Sequence, residues 1–139
     1  MTEIRVQAAS TEDVSLILSF IKELAEYERL SHEVVATEDS LLGWLFGERP
    51  VAEVLIGEHG GEAAAFALFF HNFSTLLGKP GVYLEDIYVR PEFRGRGIGK
   101  AMLAHLARLG PKSAAADGWS GPFSTGTNHP STSTNRSAP

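Results

Sequence analysis

The chain has 139 residues, 43% of them hydrophobic, and a formal net charge of -5. This is a one-domain length with enough apolar content for a core. The acidic balance excludes general nucleic-acid binding, which needs basic surface against phosphates. The absence of cysteine excludes disulfides and thiolate metal sites. The start, Met1-Thr2-Glu3-Ile4-Arg5, lacks the basic-then-apolar order of a signal peptide, and no apolar run is long enough to cross a bilayer. A soluble cytoplasmic protein with neither nucleic-acid nor membrane partners is expected.

Ile4, Val6 and Ala8 alternate with polar residues and predict a first strand. Ser10 or Thr11 then caps a helix whose positive end carries Glu12 and Asp13. Val14, Ile17, Leu18, Ile21, Leu24 and Ala25 place one apolar face along that helix to about Tyr27. Thr37 caps a shorter helix bearing Leu41, Leu42, Leu45 and Phe46. Residues 51–56 predict a strand, residues 57–61 a glycine turn and residues 62–72 the returning strand of a hairpin. Gly78-Lys79-Pro80-Gly81 forms another turn. A fourth strand over 82–89 stops at Pro91, and a last helix spans 96–109. The order is strand, helix, helix, three strands, helix. It predicts an α/β (α+β) layer arrangement with a mixed, mainly antiparallel sheet.

Gly110 to Pro139 contains no Leu, Ile, Val or Met. This Ser, Thr, Gly, Pro and Ala tail cannot bury enough surface to offset its ordering entropy, so disorder is expected from residue 110. Residues 1–109 are read as the domain, which then ends after its last helix.

The sharpest signal is Arg94-Gly95-Arg96-Gly97-Ile98-Gly99-Lys100, set between a strand and a helix. Glycines let successive backbone N–H groups converge, and the helix adds its positive end, a combination that binds phosphate or pyrophosphate. Arg94, Arg96 and Lys100 supply formal charge. Lys100 stands where a dinucleotide fingerprint needs glycine, and Ala101 stands where a P-loop needs Ser or Thr. From the loop alone, a Gly-rich surface turn remains the competing reading. Upstream, Glu85 and Asp86 interrupt an otherwise apolar strand. In a regular strand they face opposite sides and cannot share one role.

Tyr83-Leu84-Glu85-Asp86-Ile87-Tyr88-Val89-Arg90-Pro91 leads straight into the loop. Together they resemble the GNAT superfamily of N-acetyltransferases, whose phosphate loop reads Arg/Gln-x-x-Gly-x-Gly/Ala, here Arg94, Gly97 and Gly99. With Ile21 to Glu28, the words resemble its diamine (spermidine/spermine-type) subgroup, over roughly residues 3–109. The resemblance implies an N-acetyltransferase using acetyl-CoA as donor and a primary amine of a small molecule, such as a polyamine or diamine, as acceptor, by direct attack in a ternary complex. It implies that Ile87, Tyr88 and Val89 hold the pantetheine arm. It places Gly95, Arg96, Gly97, Ile98, Gly99 and Lys100 around the pyrophosphate, with Arg94 ordering the loop. Glu85 matches the carboxylate near the acceptor amine, where it would serve as catalytic base, and Tyr27 and Glu28 match acceptor-site positions. Glu23, Glu26 and Glu33 add negative charge or form a solvated helix end. His32, His59, His71 and His105 lack metal-like spacing, so no metal is proposed. Phe66, Phe69, Phe70 and Phe73 read as core and hairpin packing.

The family continues beyond this helix with further strands that supply an Asn near the cofactor, an acid Tyr for the leaving thiolate and the usual homodimer contact. This tail carries none of them in a matching context. Reading it one base out of register from Lys112, with the unassigned bases chosen to favour the match, gives ERGCGRLEWSVLDWNEPSIDFYESLGA. That string resembles the missing segment. A frame shift between Leu109 and Lys112 is the expectation, and the gene sequence decides it. The alternative for the chain as written is an acyl-CoA-binding module or inactive pseudoenzyme. A bare edge on the fourth strand is expected in either case.

Overall fold

A computed structural model describes residues 3–109 and 123–125. Its elements are β1 (Ile4–Ala8), α1 (Val14–Tyr27), α2 (Glu38–Phe46), β2 (Glu53–His59), β3 (Glu62–Ser74), β4 (Lys79–Val89), α3 (Ile98–Arg108) and β5 (Phe123–Thr125). The sheet order is β1-β2-β3-β4-β5. The first four strands are successive antiparallel neighbours, and β5 pairs with β4 in parallel.

The strands carry apolar side chains on both faces, and period-two alternation divides them between two cores. Val54, Ile56 and Phe66 face α1 and α2, meeting Ile17, Phe20, Leu24, Leu41 and Leu45. Leu55, Ala65, Ala67, Val82 and Leu84 face α3, meeting Ile98, Met102 and Leu106. Thr37 caps α2 as its residue type predicts, accepting from the Ser40 N–H at 3.1 Å. Ser10 opens a short 3-10 turn, and α1 proper begins at Val14.

Two readings change. Gly57 is not part of the hairpin turn: it lies inside β2, between Val6 of β1 and Ala65 of β3. The turn is made by Gly60 and Gly61, with φ of 63° and 87°. The reason for Gly57 is packing. A Cβ there would lie 2.8 Å from Met102 Sδ and 3.2 Å from Ile98 Cγ2, so the bare backbone lets α3 settle on the sheet.

The sheet also does not end at β4. Phe123, Ser124 and Thr125 pair with Val82, Tyr83 and Leu84. An edge offers unpaired backbone groups that accept any extended segment, whatever its side chains. The remaining tail residues expected to be disordered lie outside the described residues. Phe66 and Phe69 are core, whereas Phe73 is 63% exposed at the hairpin end beside Leu76 and Leu77.

Candidate functional site

The register of β4 against β3 slips at one point. Leu68 faces Asp86, and the next residue, Phe69, faces Leu84, leaving Glu85 as an extra residue on β4. This bulge rephases the strand. Before it, Val82 and Leu84 point into the α3 core. After it, Ile87 and Val89 pack there, and Tyr88 joins the α1 core. Tyr83 lies on the α1 face, stacked on Phe70 at 4.8 Å, so alternation puts Glu85 on that face too. Asp86 reaches it directly, lining a cavity of about 340 Å³ with Ile21, Leu24, Ala25 and Glu33. The two carboxylates therefore share a side, which corrects the expectation that they point apart.

Among the described residues, β4 beyond the bulge has a strand partner on one side only. β3 pairs with it through Val89, and β5 covers it only over 82–84. Among the described residues, the outer edge from Glu85 to Val89 carries no strand. Because Arg90 bonds to Ala64 of β3, alternation turns Tyr88 toward β3 and the N–H and C=O groups of Ile87 and Val89 outward, with the Val89 carbonyl taken by Arg94.

The edge runs into the glycine loop. Gly95 and Gly97 have φ of 78° and 87°, a region that costs any other residue about 1–2 kcal/mol. A Cβ at either would meet nothing within 4 Å, so both face open space. Gly97 is the N-cap of α3, whose first N–H groups, from Ile98, Gly99 and Lys100, have no partner within the helix. Ile98 is 1% exposed and anchors this end in the core, while Arg96 and Lys100 are exposed. A pyrophosphate fits this arrangement: open backbone, a helix N-terminus and two cations.

Arg94 does not join them. Its Nε donates to the Val89 carbonyl at 2.8 Å. Its guanidinium carbon lies 4.9 Å from the Tyr27 ring centroid and 5.6 Å from that of Tyr88. Tyr27, at the end of α1, is 56% exposed. Its neighbour Glu28 is turned inward, 7% exposed, which separates the two acceptor-site expectations. The chain leaves α1 through Arg29, whose φ of 61° is a left-handed cap conformation normally taken by glycine.

Glu23 has a role the sequence did not suggest. Arg90 grips it in two-point fashion, Nε to Oε1 at 3.0 Å and Nη2 to Oε2 at 2.9 Å. Arg90 also donates to the Ala63 carbonyl at 3.0 Å and lies 4.5 Å over the Phe20 ring. Glu23 is thus a structural anion joining α1 to the end of β4, not a free acceptor-site charge. No local pattern marks a pair so far apart in sequence. Glu33 sits on the cavity rim with Asp86 and lies 3.7 Å from His32. Among the described residues, no three His, Asp or Glu are grouped to hold a metal, and no helix is long and apolar enough to cross a membrane.

Burial raises the Tyr88 phenol above its ordinary value of 10.0, and the charge of Glu23 and a hydrogen bond to it push the same way, against Arg94 and Arg90. The native state thus holds this proton more tightly than the unfolded chain. Stability should be level below pH 10 and fall as pH rises above it, until the native phenol also ionises. Guanidinium chloride unfolding between about pH 9 and about pH 11 should show this slope, and Tyr88→Phe should flatten it. An unchanged slope would remove Tyr88 as its source.

A mainly antiparallel sheet flanked by helices, with its fourth strand leading into a glycine-lined helix N-terminus, is an α/β arrangement suited to a phosphate-bearing ligand. The chain belongs to the acetyltransferase (GNAT) family, whose model matches residues 17–120. It is 40% identical over 117 residues to thialysine N-epsilon-acetyltransferase of Bos taurus, covering 78% of this chain and 68% of that one. Over the same share of this chain and 67% of the relative, it is 28% identical to an L-ornithine N5-acetyltransferase of Arabidopsis thaliana. Its fold matches the ribosomal-protein-alanine N-acetyltransferase of Brucella melitensis with a TM-score of 0.65 at 20% identity, over 96% of this chain and 86% of that one.

Proposed function

We propose that the protein transfers an acetyl group from acetyl-CoA to a primary amine of a small molecule, by direct attack within a ternary complex. The observation that carries this is the continuity of β4, bulged at Glu85, with the glycine cradle at Gly95 to Lys100. Ile87 and Val89 hold the pantetheine arm by their outward backbone groups, Tyr88 being turned to β3, and the first turn of α3 with Arg96 and Lys100 holds the pyrophosphate. The bound thioester supplies an activated acetyl carbon. Glu85 takes a proton from the acceptor ammonium, directly or through one water, because only the neutral amine has a lone pair to form the new C–N bond. On C–N bond formation the C–S bond would break, and the departing coenzyme A thiolate would take up the proton that the acylated nitrogen sheds.

Asp86 and Glu33, which line one cavity, act with Glu85 to draw a cationic acceptor to the α1 face. Tyr27 flanks it, and Glu28 supports the same wall from within. The names of the relatives favour an amino acid with a side-chain amine, thialysine-like or ornithine-like, and a polyamine or diamine has the same chemistry.

Calorimetric titration of monodisperse protein with acetyl-CoA tests the donor site. Release of coenzyme A with thialysine, ornithine and spermidine tests the acceptor. Glu85→Gln should lower kcat/KM about 10²-fold at unchanged acetyl-CoA affinity. Full activity in that variant would end the base assignment, and donor binding without thiol release from any amine would end the transferase reading.

A further inference from the structure

The geometry points to Arg94 as a positioning residue that ties the acceptor-side Tyr27 to the cofactor loop, so that Tyr27 governs coenzyme A affinity even when no amine is present. This rests on the acetyl-CoA reading of the loop. Arg94 begins the glycine run, where a phosphate contact would be its simplest use. Its side chain instead turns back onto the body of the protein. One N–H is committed to the Val89 carbonyl at 2.8 Å. The guanidinium carbon lies over the rings of Tyr27 and Tyr88, whose centroids are 6.5 Å apart. A cation held between two aromatic faces and a carbonyl has few orientations left.

Arg94 thereby joins three elements: the last residue of α1, the end of β4 and the loop. Its own backbone, extended at φ -71°, feeds directly into Gly95 at φ 78°. Where the side chain sits therefore fixes where the first loop N–H groups begin. The far wall is itself braced, since the Tyr88 ring is buried with its centroid 6.4 Å from that of Phe20. Tyr27 is the exposed wall. Removing its ring frees Arg94 to leave the carbonyl, and the loop must then be ordered at the expense of ligand binding.

The test is calorimetric titration with coenzyme A, without amine, of wild type, Tyr27→Leu, Tyr27→Phe, Arg94→Met and the double variant. Tyr27→Leu should weaken coenzyme A about tenfold, while Tyr27→Phe, which keeps the ring, should bind as wild type does. Tyr27→Leu should add nothing in the Arg94→Met background, because the link is already cut. Arg94→Met should weaken binding without altering its salt dependence, as expected of a group that places the loop and does not touch the phosphates. Thermal unfolding of each variant separates loss of the fold from loss of the link. Wild-type affinity in a folded Tyr27→Leu, independent losses in the double variant, or a shallower salt dependence in Arg94→Met would each overturn the inference. Absence of coenzyme A binding by wild type would instead overturn the cofactor reading on which it rests.

Discussion

Gly97→Glu should abolish coenzyme A binding, raising Kd at least about 100-fold. Two effects combine. Gly97 caps α3 at φ 87°, so any side chain there costs about 1–2 kcal/mol in backbone strain. The carboxylate would also stand at the helix N-terminus, where the ligand's anion belongs. A Cβ at this position meets nothing within 4 Å, so the protein body does not clash and the fold should survive with a modest drop in Tm. Gly97→Ala separates the terms, because it keeps the strain and removes the charge. It should lose only about tenfold. Calorimetry with acetyl-CoA on both variants checks this. If Gly97→Glu binds as wild type does, the pyrophosphate does not sit on α3.

Gly57→Val should destabilise the protein by about 1–3 kcal/mol and weaken coenzyme A binding with it. The first added carbon alone would lie 2.8 Å from Met102 Sδ and 3.2 Å from Ile98 Cγ2. The Met102 thioether can swing aside, so Gly57→Ala should be mild. The two further carbons of Val leave α3 no route but outward. Ile98 is the first residue of α3, so lifting it displaces the N–H groups of the cradle. Leu45→Ala provides the comparison. Leu45 is 6% exposed in the core on the opposite face of the sheet. Its truncation should cost about 2–5 kcal/mol while sparing cofactor affinity in the folded fraction. Denaturant unfolding and calorimetry on the same samples read both quantities. Equal loss of affinity in both variants would mean that global stability, not the seat of α3, sets binding.

Features whose physics is local were legible in the residues alone. Alternation at Ile4, Val6 and Ala8 predicted β1, and helical spacing from Val14 to Ala25 predicted α1. Thr37 predicted the start of α2 because a hydroxyl there meets a helix N–H three residues on. The cradle was legible for the same reason: Gly95, Gly97 and the start of α3 lie within a few residues, and glycine is the residue that a positive φ favours.

Features that depend on a distant partner emerge only in the folded chain. Glu85 and Asp86 share a face only because β4 has one more residue than β3 at Leu68 and Phe69, and a strand read alone alternates. Gly57 looked like a turn because glycine has two uses, and only the approach of Met102 shows that this one makes room. Arg90 and Glu23, 67 residues apart, and Arg94 with Tyr27 are joined by the packing of α1 against β4. Side-chain pairing between elements is set where the folded chain brings surfaces together, and no local spacing encodes it.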